Sequence, residues 1–143
     1  MIYLPDVNVW VALAIAEHVH HSVAKQWLDS VRPQRLVFCR VAQMGLLRLL
    51  TNQRVMGKDN FGGEMAWEIF DALCRDHDAA FAAEPLGFDE VWRSVTRTHH
   101  TGANSWTDSY LAAFASAHDF TLVSFDRGFR RYKDVQYKLL GMS

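Results

Sequence analysis

Apolar residues recur along this chain in two rhythms, and their alternation predicts the architecture. Residues 2–4 form a short apolar run that reads as a buried strand. Residues 7–17, which follow Pro5 and Asp6, are apolar nearly all round and predict a buried helix. A second helix begins near His20, where Val23, Ala24, Trp27, Leu28 and Val31 share one helical face, and Pro33 ends it. Residues 36–39 predict a second strand. Residues 41–50 predict a helix that buries Val41, Met44 and Leu47 with Leu46 and Leu50, leaving Gln43 and Arg48 as polar exceptions. The polar, glycine-containing stretch 51–63 reads as a loop. Helical spacing returns over 64–75, through Met65, Ile69, Phe70 and Leu73. Residues 79–83 predict a third strand closed by Pro85, and Phe88, Val91, Trp92 and Val95 mark a further helix. Residues 97–106 again read as a loop. Residues 105–117 predict a helix with Leu111, Phe114 and Ala115 on one face. Residues 120–125, rich in β-branched and aromatic side chains, predict a strand. Val135, Tyr137 and Leu139 alternate with polar residues and suggest a final, half-exposed strand.

Strands separated by helices imply an α/β fold, with a parallel sheet covered on both faces. Across its 143 residues the chain shows no repeat, linker or low-complexity segment, so the expectation is a single domain over 1–143. Half of the residues are hydrophobic and 22% are charged, as in ordinary soluble globular proteins. The longest apolar stretch, 9–16, is too short to span a bilayer. Met1 leads straight into the first strand without a basic leader, so a cytoplasmic protein without a membrane partner is expected. Cys39 and Cys74 form no motif and read as two reduced, buried thiols. The net charge of −1 does not advertise a nucleic-acid partner. The tail is less neutral. Arg127, Arg130, Arg131, Lys133 and Lys138 face only Asp134, an excess that suits either a phosphate backbone or a solvated surface.

The acids carry the chemistry. Sites in open parallel sheets lie beyond the carboxyl ends of the strands. Asp6 follows the first strand and Asp126 follows "FTLVSF", so both fall at that edge. Asp108 stands in the first turn of the helix leading into the latter strand. That helix and strand run antiparallel, so Asp108 and Asp126 can meet; Asp6 joins them if the first strand neighbours that strand. Three carboxylates in one space repel and raise one another's pKa unless a cation intervenes. Mg2+ or Mn2+ suits such a set, being hard and oxygen-seeking. Each acid also has a structural use. Asp6 can cap the following helix, Asp108 can close a capping box with Ser105, and Asp126 can close a turn in "SFDRG".

"YLPDVNVWVAL", "EHVHHSVAKQWL", "FCRVAQMGLLRLLTNQRVMG" and "WTDSYLAAFASAHDFTLVSFDRGF" together resemble the PIN-domain ribonucleases, and most closely the VapC toxins of toxin–antitoxin pairs. The likeness covers nearly the whole chain. It implies a three-layer α/β/α sandwich with a central parallel sheet. It also implies a Mg2+- or Mn2+-dependent endoribonuclease whose metal is held by Asp6, Asp108 and Asp126. Asn8, Thr107 and Ser124 fall at polar positions that would orient carboxylates or bound water, or else serve as cap and turn residues. Arg48, Arg127, Arg130 and Arg131 are candidates for contacting RNA. The family further implies tRNA or ribosomal RNA as substrate, a VapB-like antitoxin, and a homodimer.

One position departs from the family pattern. A glutamate usual in the third helix is replaced: counting back from Arg48 lands on Gly45, and no acid lies between Asp29 and Asp59. Gln43 is the nearby polar group that would substitute through its carbonyl. The loss of one carboxylate favours a single metal over two and leaves open a degenerate module that binds RNA or protein without cutting. A HAD-like phosphatase would also begin with a strand and Asp, but needs D-x-D where this chain has Asn8. His18, His20, His21, His99 and His100 lack the spacing of a zinc site and read as helix-start or surface residues. Trp10, Trp27, Trp67 and Trp92 read as core, with Trp106 beside Asp108 as the best candidate for base stacking.

Overall fold

The computed structural model describes residues 1–57, 61–99 and 102–141. Five strands form one sheet: β1 (Ile2–Pro5), β2 (Arg35–Phe38), β3 (Ala80–Phe81), β4 (Thr121–Ser124) and β5 (Tyr137–Leu139). Their spatial order is β3-β2-β1-β4-β5, and every pairing is parallel. β1 and β4 lie side by side, with Tyr3 opposite Thr121, Leu4 opposite Leu122 and Pro5 opposite Val123. This register sets Asp6 and Asp126 at neighbouring strand ends.

The helices are α1 (Val7–Ala14), α2 (His21–Val31), α3 (Arg40–Leu50), α4 (Gln53–Met56), α5 (Gly63–Asp76), α6 (Phe88–Thr98) and α7 (Trp106–His118). A 3-10 turn, Arg127–Arg131, follows β4. The chain steps outward from β1 to β2 to β3 through α1–α5, then crosses back to β4 through α6 and α7. With right-handed crossovers, this reversal puts the two groups of helices on opposite faces. Accordingly, α1 packs on α2 and α3, and α3 on α5, while α6 and α7 pack together. The result is a three-layer α/β/α sandwich whose topological switch point lies between β1 and β4.

The core joins Trp10, Phe38, Leu4, Leu36, Leu122 and Phe114 between the layers. Trp10 stacks on Phe38, with ring centroids 3.9 Å apart. Cys39 is buried, whereas Cys74 is only half-buried; both are free thiols. Trp67 is a correction to the expected core, since it is 49% exposed on the outer side of α5.

Several element boundaries differ from the pattern, among them the third strand, which shortens to Ala80–Phe81. α1 stops at Ala14, because the chain turns through 15–20, where His21 Nδ1 comes within 2.7 Å of the Ala12 carbonyl. The 51–63 stretch is not all loop. Asn52 caps α4 by accepting from the Arg54 N–H at 2.9 Å, and Gly57 ends it at φ 59°; residues 58–60 lie outside the described residues. α6 runs on to Thr98; His100 and Thr101 lie outside the described residues. α3 begins one residue early and buries Ala42, Gln43, Leu46 and Leu50, leaving Met44 half exposed. Among the described residues, no helix is long and apolar enough to cross a membrane.

Candidate active site

Asp6 leaves β1 in an extended conformation (φ −66°, ψ 163°) and is the N-cap residue of α1. Its two carboxylate oxygens are held separately. Oδ1 accepts from the Val7 N–H at 2.7 Å, and Oδ2 accepts from the Ser124 hydroxyl at 2.8 Å. Asp6 is thus both a helix cap and part of the strand-edge cluster. Ser124, the last residue of β4, is fully buried. Its Oγ also accepts from Asn8 Nδ2 at 3.3 Å and from the Asp126 N–H at 3.0 Å. Asn8 Oδ1 in turn accepts from the Phe125 N–H at 3.5 Å. One hydroxyl therefore ties the end of β1 to the end of β4.

Asp126 begins the 3-10 turn, where its Oδ1 accepts from the Gly128 N–H at 2.8 Å. Tyr137 of the edge strand donates its hydroxyl to the Asp126 carbonyl. Asp108 sits half-buried in the first turn of α7 and, among the described residues, accepts no hydrogen bond. The expected capping box is not formed: the Ser105 hydroxyl donates to the Gly102 carbonyl at 3.1 Å instead.

The charges of Asp6 and Asp126 reach Asp108, and that of Asp126 reaches Asp6. Asp108 is pushed up to about 6, first by burial and then by the charges of Asp6 and Asp126, with Arg131 opposing. Burial raises Asp6, the bonds from Ser124 and Val7 partly offset this, and Asp126 adds a smaller increase. Among the described residues, no group of three or more His, Cys, Asp or Glu side chains is placed so that it could hold a metal ion. The acids are near enough to repel and too spread to enclose an ion. By donor chemistry alone, carboxylates without thiolates, the set matches Mg2+ or Mn2+, which keep several waters and bind through as few as one or two carboxylates. It suits zinc poorly, since thiolates and paired imidazoles are missing from the cluster.

The remaining candidates divide. Arg131 lies within electrostatic reach of Asp108 and stacks its guanidinium over Tyr132, 4.9 Å from the ring centroid. Arg127 and Arg130 are exposed on the same turn. Thr107 is exposed and, among the described residues, holds no carboxylate. Arg48 occupies the last turn of α3, about 12 Å along the helix from its start at the site edge, so the fold sets it apart from the acids. Gly45 has no room for an acid: a Cβ there would meet Val7 Cγ2 at 2.5 Å. The polar group that α3 buries is Gln43, and its carbonyl is already taken by Arg40 Nη1 at 2.6 Å. Arg40 was silent in the sequence pattern; the readable signal was Gln43, a polar residue in register with Leu46 and Leu50. Trp106 is half exposed beside Trp92, their rings edge to face at 6.1 Å. His18, His20 and His21 stay at the α1–α2 corner, where His20 stacks on Phe125 at 4.7 Å.

An open parallel sheet with acids at its switch point has counterparts among known proteins. The family model for the PIN domain matches residues 3–135. Ribonuclease VapC41 of Mycobacterium tuberculosis is 39% identical over 142 residues, covering 96% of this chain and 97% of the relative. Ribonuclease VapC29 of the same organism is 30% identical over 128 residues, covering 90% and 88%. The chain belongs to the PIN-domain family and, within it, to the VapC ribonucleases. Solved structures agree on the fold. VapBC2 from Rickettsia felis, bound to a DNA fragment from its promoter, aligns with a TM-score of 0.73 at 13% identity, covering 99% of this chain and 100% of that one. Mycobacterium tuberculosis VapC20, a toxin that cleaves the sarcin–ricin loop, aligns at 0.67 with 19% identity, covering 92% and 94%.

Proposed function

We propose that this chain is a Mg2+- or Mn2+-dependent endoribonuclease that acts as the toxin of a toxin–antitoxin pair. The observation that carries the proposal is the raised Asp108 at one sheet edge, where burial comes first and the charges of Asp6 and Asp126 add to it, a repulsion that a divalent cation would relieve. Asp6, Asp108 and Asp126 would hold the ion. When bound, it supplies Lewis acidity toward a water nucleophile and toward the RNA phosphate.

The protein's own residues do the positioning. Ser124 and the Val7 N–H fix both oxygens of Asp6, so the carboxylate keeps its direction without reorganising. Asn8 supports Ser124 through a bond to its hydroxyl, and Tyr137 fixes the backbone of Asp126. Asp108, whose carboxylate receives no hydrogen bond among the described residues, gives up its proton most reluctantly and is the acid that a cation would affect most. Arg127, Arg130 and Arg131 would guide the RNA backbone toward these acids. By likeness to the VapBC complexes, a VapB-like antitoxin would be the partner; the family resemblance implies that it occludes the site and that the chain pairs as a homodimer.

One observation favours a second reading, a PIN domain that binds without cutting. α3 carries Gly45 where the family usually has a glutamate, and its nearby neutral amide, Gln43, is already bonded to an arginine. Cleavage assays separate the two. The purified protein is expected to cut RNA in Mg2+ or Mn2+ and to stop in EDTA, and Asp6→Asn and Asp108→Asn are expected to abolish cutting while remaining folded. Undiminished cleavage in chelator, or full activity in both variants, would reject the proposed site; RNA binding without cleavage in either metal would support the second reading.

A further inference from the structure

Arg40 is the first residue of α3, directly behind the carboxyl end of β2, and it emerges at the same sheet edge as Asp6. Cys39, its neighbour in sequence, is close enough to the acids for the charge of Asp6 to help raise its thiol. The Arg40 side chain is exposed but not loose. Nη1 donates to Gln43 Oε1 at 2.6 Å, and Cζ sits 4.5 Å over the centroid of Phe81. Gln43 is 6% exposed and cannot follow a moving partner, while Phe81 leaves 46% of its surface in solvent. Among the described residues, no carboxylate lies within ion-pair distance of Arg40. Glu84, which lines the same hollow, has Oε2 engaged by the Tyr110 hydroxyl at 2.7 Å.

A guanidinium fixed by one neutral acceptor and one aromatic face keeps most of its donor fork for something else. Its rotamer entropy has been lost without a protein carboxylate to receive the fork. The hollow beside it, about 310 Å³, is lined by Arg40, Phe81, Ala82, Ala83, Glu84 and Tyr110. Strands in a sheet lie about 4.8 Å apart, so Arg40 springs one strand from Asp6, and Phe81 lies two strands away, roughly 10 Å. On the other side of Asp6, β4 leads to Asp126 and the exposed Arg127, Arg130 and Arg131. Along the edge the side chains therefore read basic, acidic, basic.

We propose that Arg40, seated on Phe81 and tied to Gln43, binds a phosphate of the RNA strand on the β2–β3 flank of the carboxylate cluster. The inference rests on the nuclease reading above. An RNA phosphate is the ligand because a fork of this shape binds phosphate in a bidentate manner, and because Arg40 emerges one strand from Asp6 at the same sheet edge. Arg40 would anchor one flank while the 3-10 turn holds the other, with the scissile bond between them.

The test is binding of a fluorescein-labelled, single-stranded RNA of about twelve nucleotides, followed by anisotropy in EDTA over a range of salt. Arg40→Gln is expected to weaken binding about tenfold. It should also flatten the slope of log affinity against log salt by about 0.7, the share of one phosphate contact on a single strand. Arg40→Lys should keep the slope and recover only part of the affinity. Phe81→Leu, which leaves the charge but removes its seat, should also weaken binding. In Mg2+, KM for RNA should rise more than kcat falls in Arg40→Gln. Unchanged affinity and slope in a folded Arg40→Gln protein would overturn the inference, as would an affinity loss with no change of slope. If Arg40→Gln does not fold, wild-type affinity in both Arg40→Lys and Phe81→Leu would overturn it. So would an RNA affinity that stays fixed while Arg40→Gln loses binding to polyglutamate, which would assign the hollow to an acidic protein. A wild-type protein that cuts RNA while Arg40→Gln binds normally removes this role alone. A wild type that neither binds nor cuts removes the nuclease reading with it.

Discussion

Ser124 joins Asp6, Asn8 and the backbone of Asp126 through one buried hydroxyl. Removing it leaves a buried carboxylate oxygen and a backbone N–H without their partner, a loss of about 2 kcal/mol. Ser124→Ala is therefore expected to lower stability by that amount in urea titrations and to reduce RNA cleavage at least tenfold. Asp108 behaves in the opposite sense. Its ionised form is disfavoured by burial and by Asp6 and Asp126, so deleting the charge relieves strain in the metal-free protein. With a discount for its half exposure, Asp108→Asn should raise stability in EDTA at pH 7 by about 1 kcal/mol, seen as a higher Tm, while cleavage is lost. A variant that is destabilised and inactive would instead mark Asp108 as a structural residue.

At the scale of elements, the packing of α1 on α3 depends on Gly45. Val7 occupies the space a Cβ would need, so Gly45→Ala should cost about 1–3 kcal/mol by overpacking. Gly45→Glu should destabilise further and add no metal ligand. Metal titration of any folded Gly45→Glu protein checks this; a gained equivalent of bound ion would contradict the geometry. The ends of α2 and α5 meet through Arg32 and His77, with Arg32 Nη2 3.0 Å from His77 Nδ1. Burial first, then the charges of Arg32 and Lys25, lower the pKa of His77 below its ordinary value of 6.5. A folded pKa below the unfolded one means the unfolded chain binds the extra proton first. This contribution is complete above pH 6.5 and is lost as pH falls through the folded pKa. The stability difference between wild type and His77→Gln, measured by denaturation, should accordingly shrink from pH 7.5 to pH 5.

Across the whole molecule, the three carboxylates of the proposed site come from three elements and approach one another only when the sheet is assembled. An ion that binds the folded state and not the unfolded chain raises apparent stability by mass action. Mg2+ or Mn2+ is expected to raise the wild-type Tm and to leave those of Asp6→Asn and Asp108→Asn nearly unchanged. A shift of equal size in all three would place the ion elsewhere.

The sequence by itself determined the alternation of strands and helices, because apolar periodicity is written in neighbouring residues. It also marked Asp6 and Asp126 as strand-end residues. It did not fix the face of α3: packing against α1 and α5 buries Gln43 with Leu46 and Leu50 and turns Met44 outward. Only the tertiary structure decided that β1 lies against β4, because strand order depends on contacts more than a hundred residues apart. From that pairing follow the hydroxyl of Ser124 on Asp6 and the neighbouring charges that add to burial in raising Asp108. Arg40 could not be singled out from the chain. Its place depends on Phe81 two strands from β1 and on a glutamine one helical turn away, and pairing across a sheet leaves no local trace in sequence.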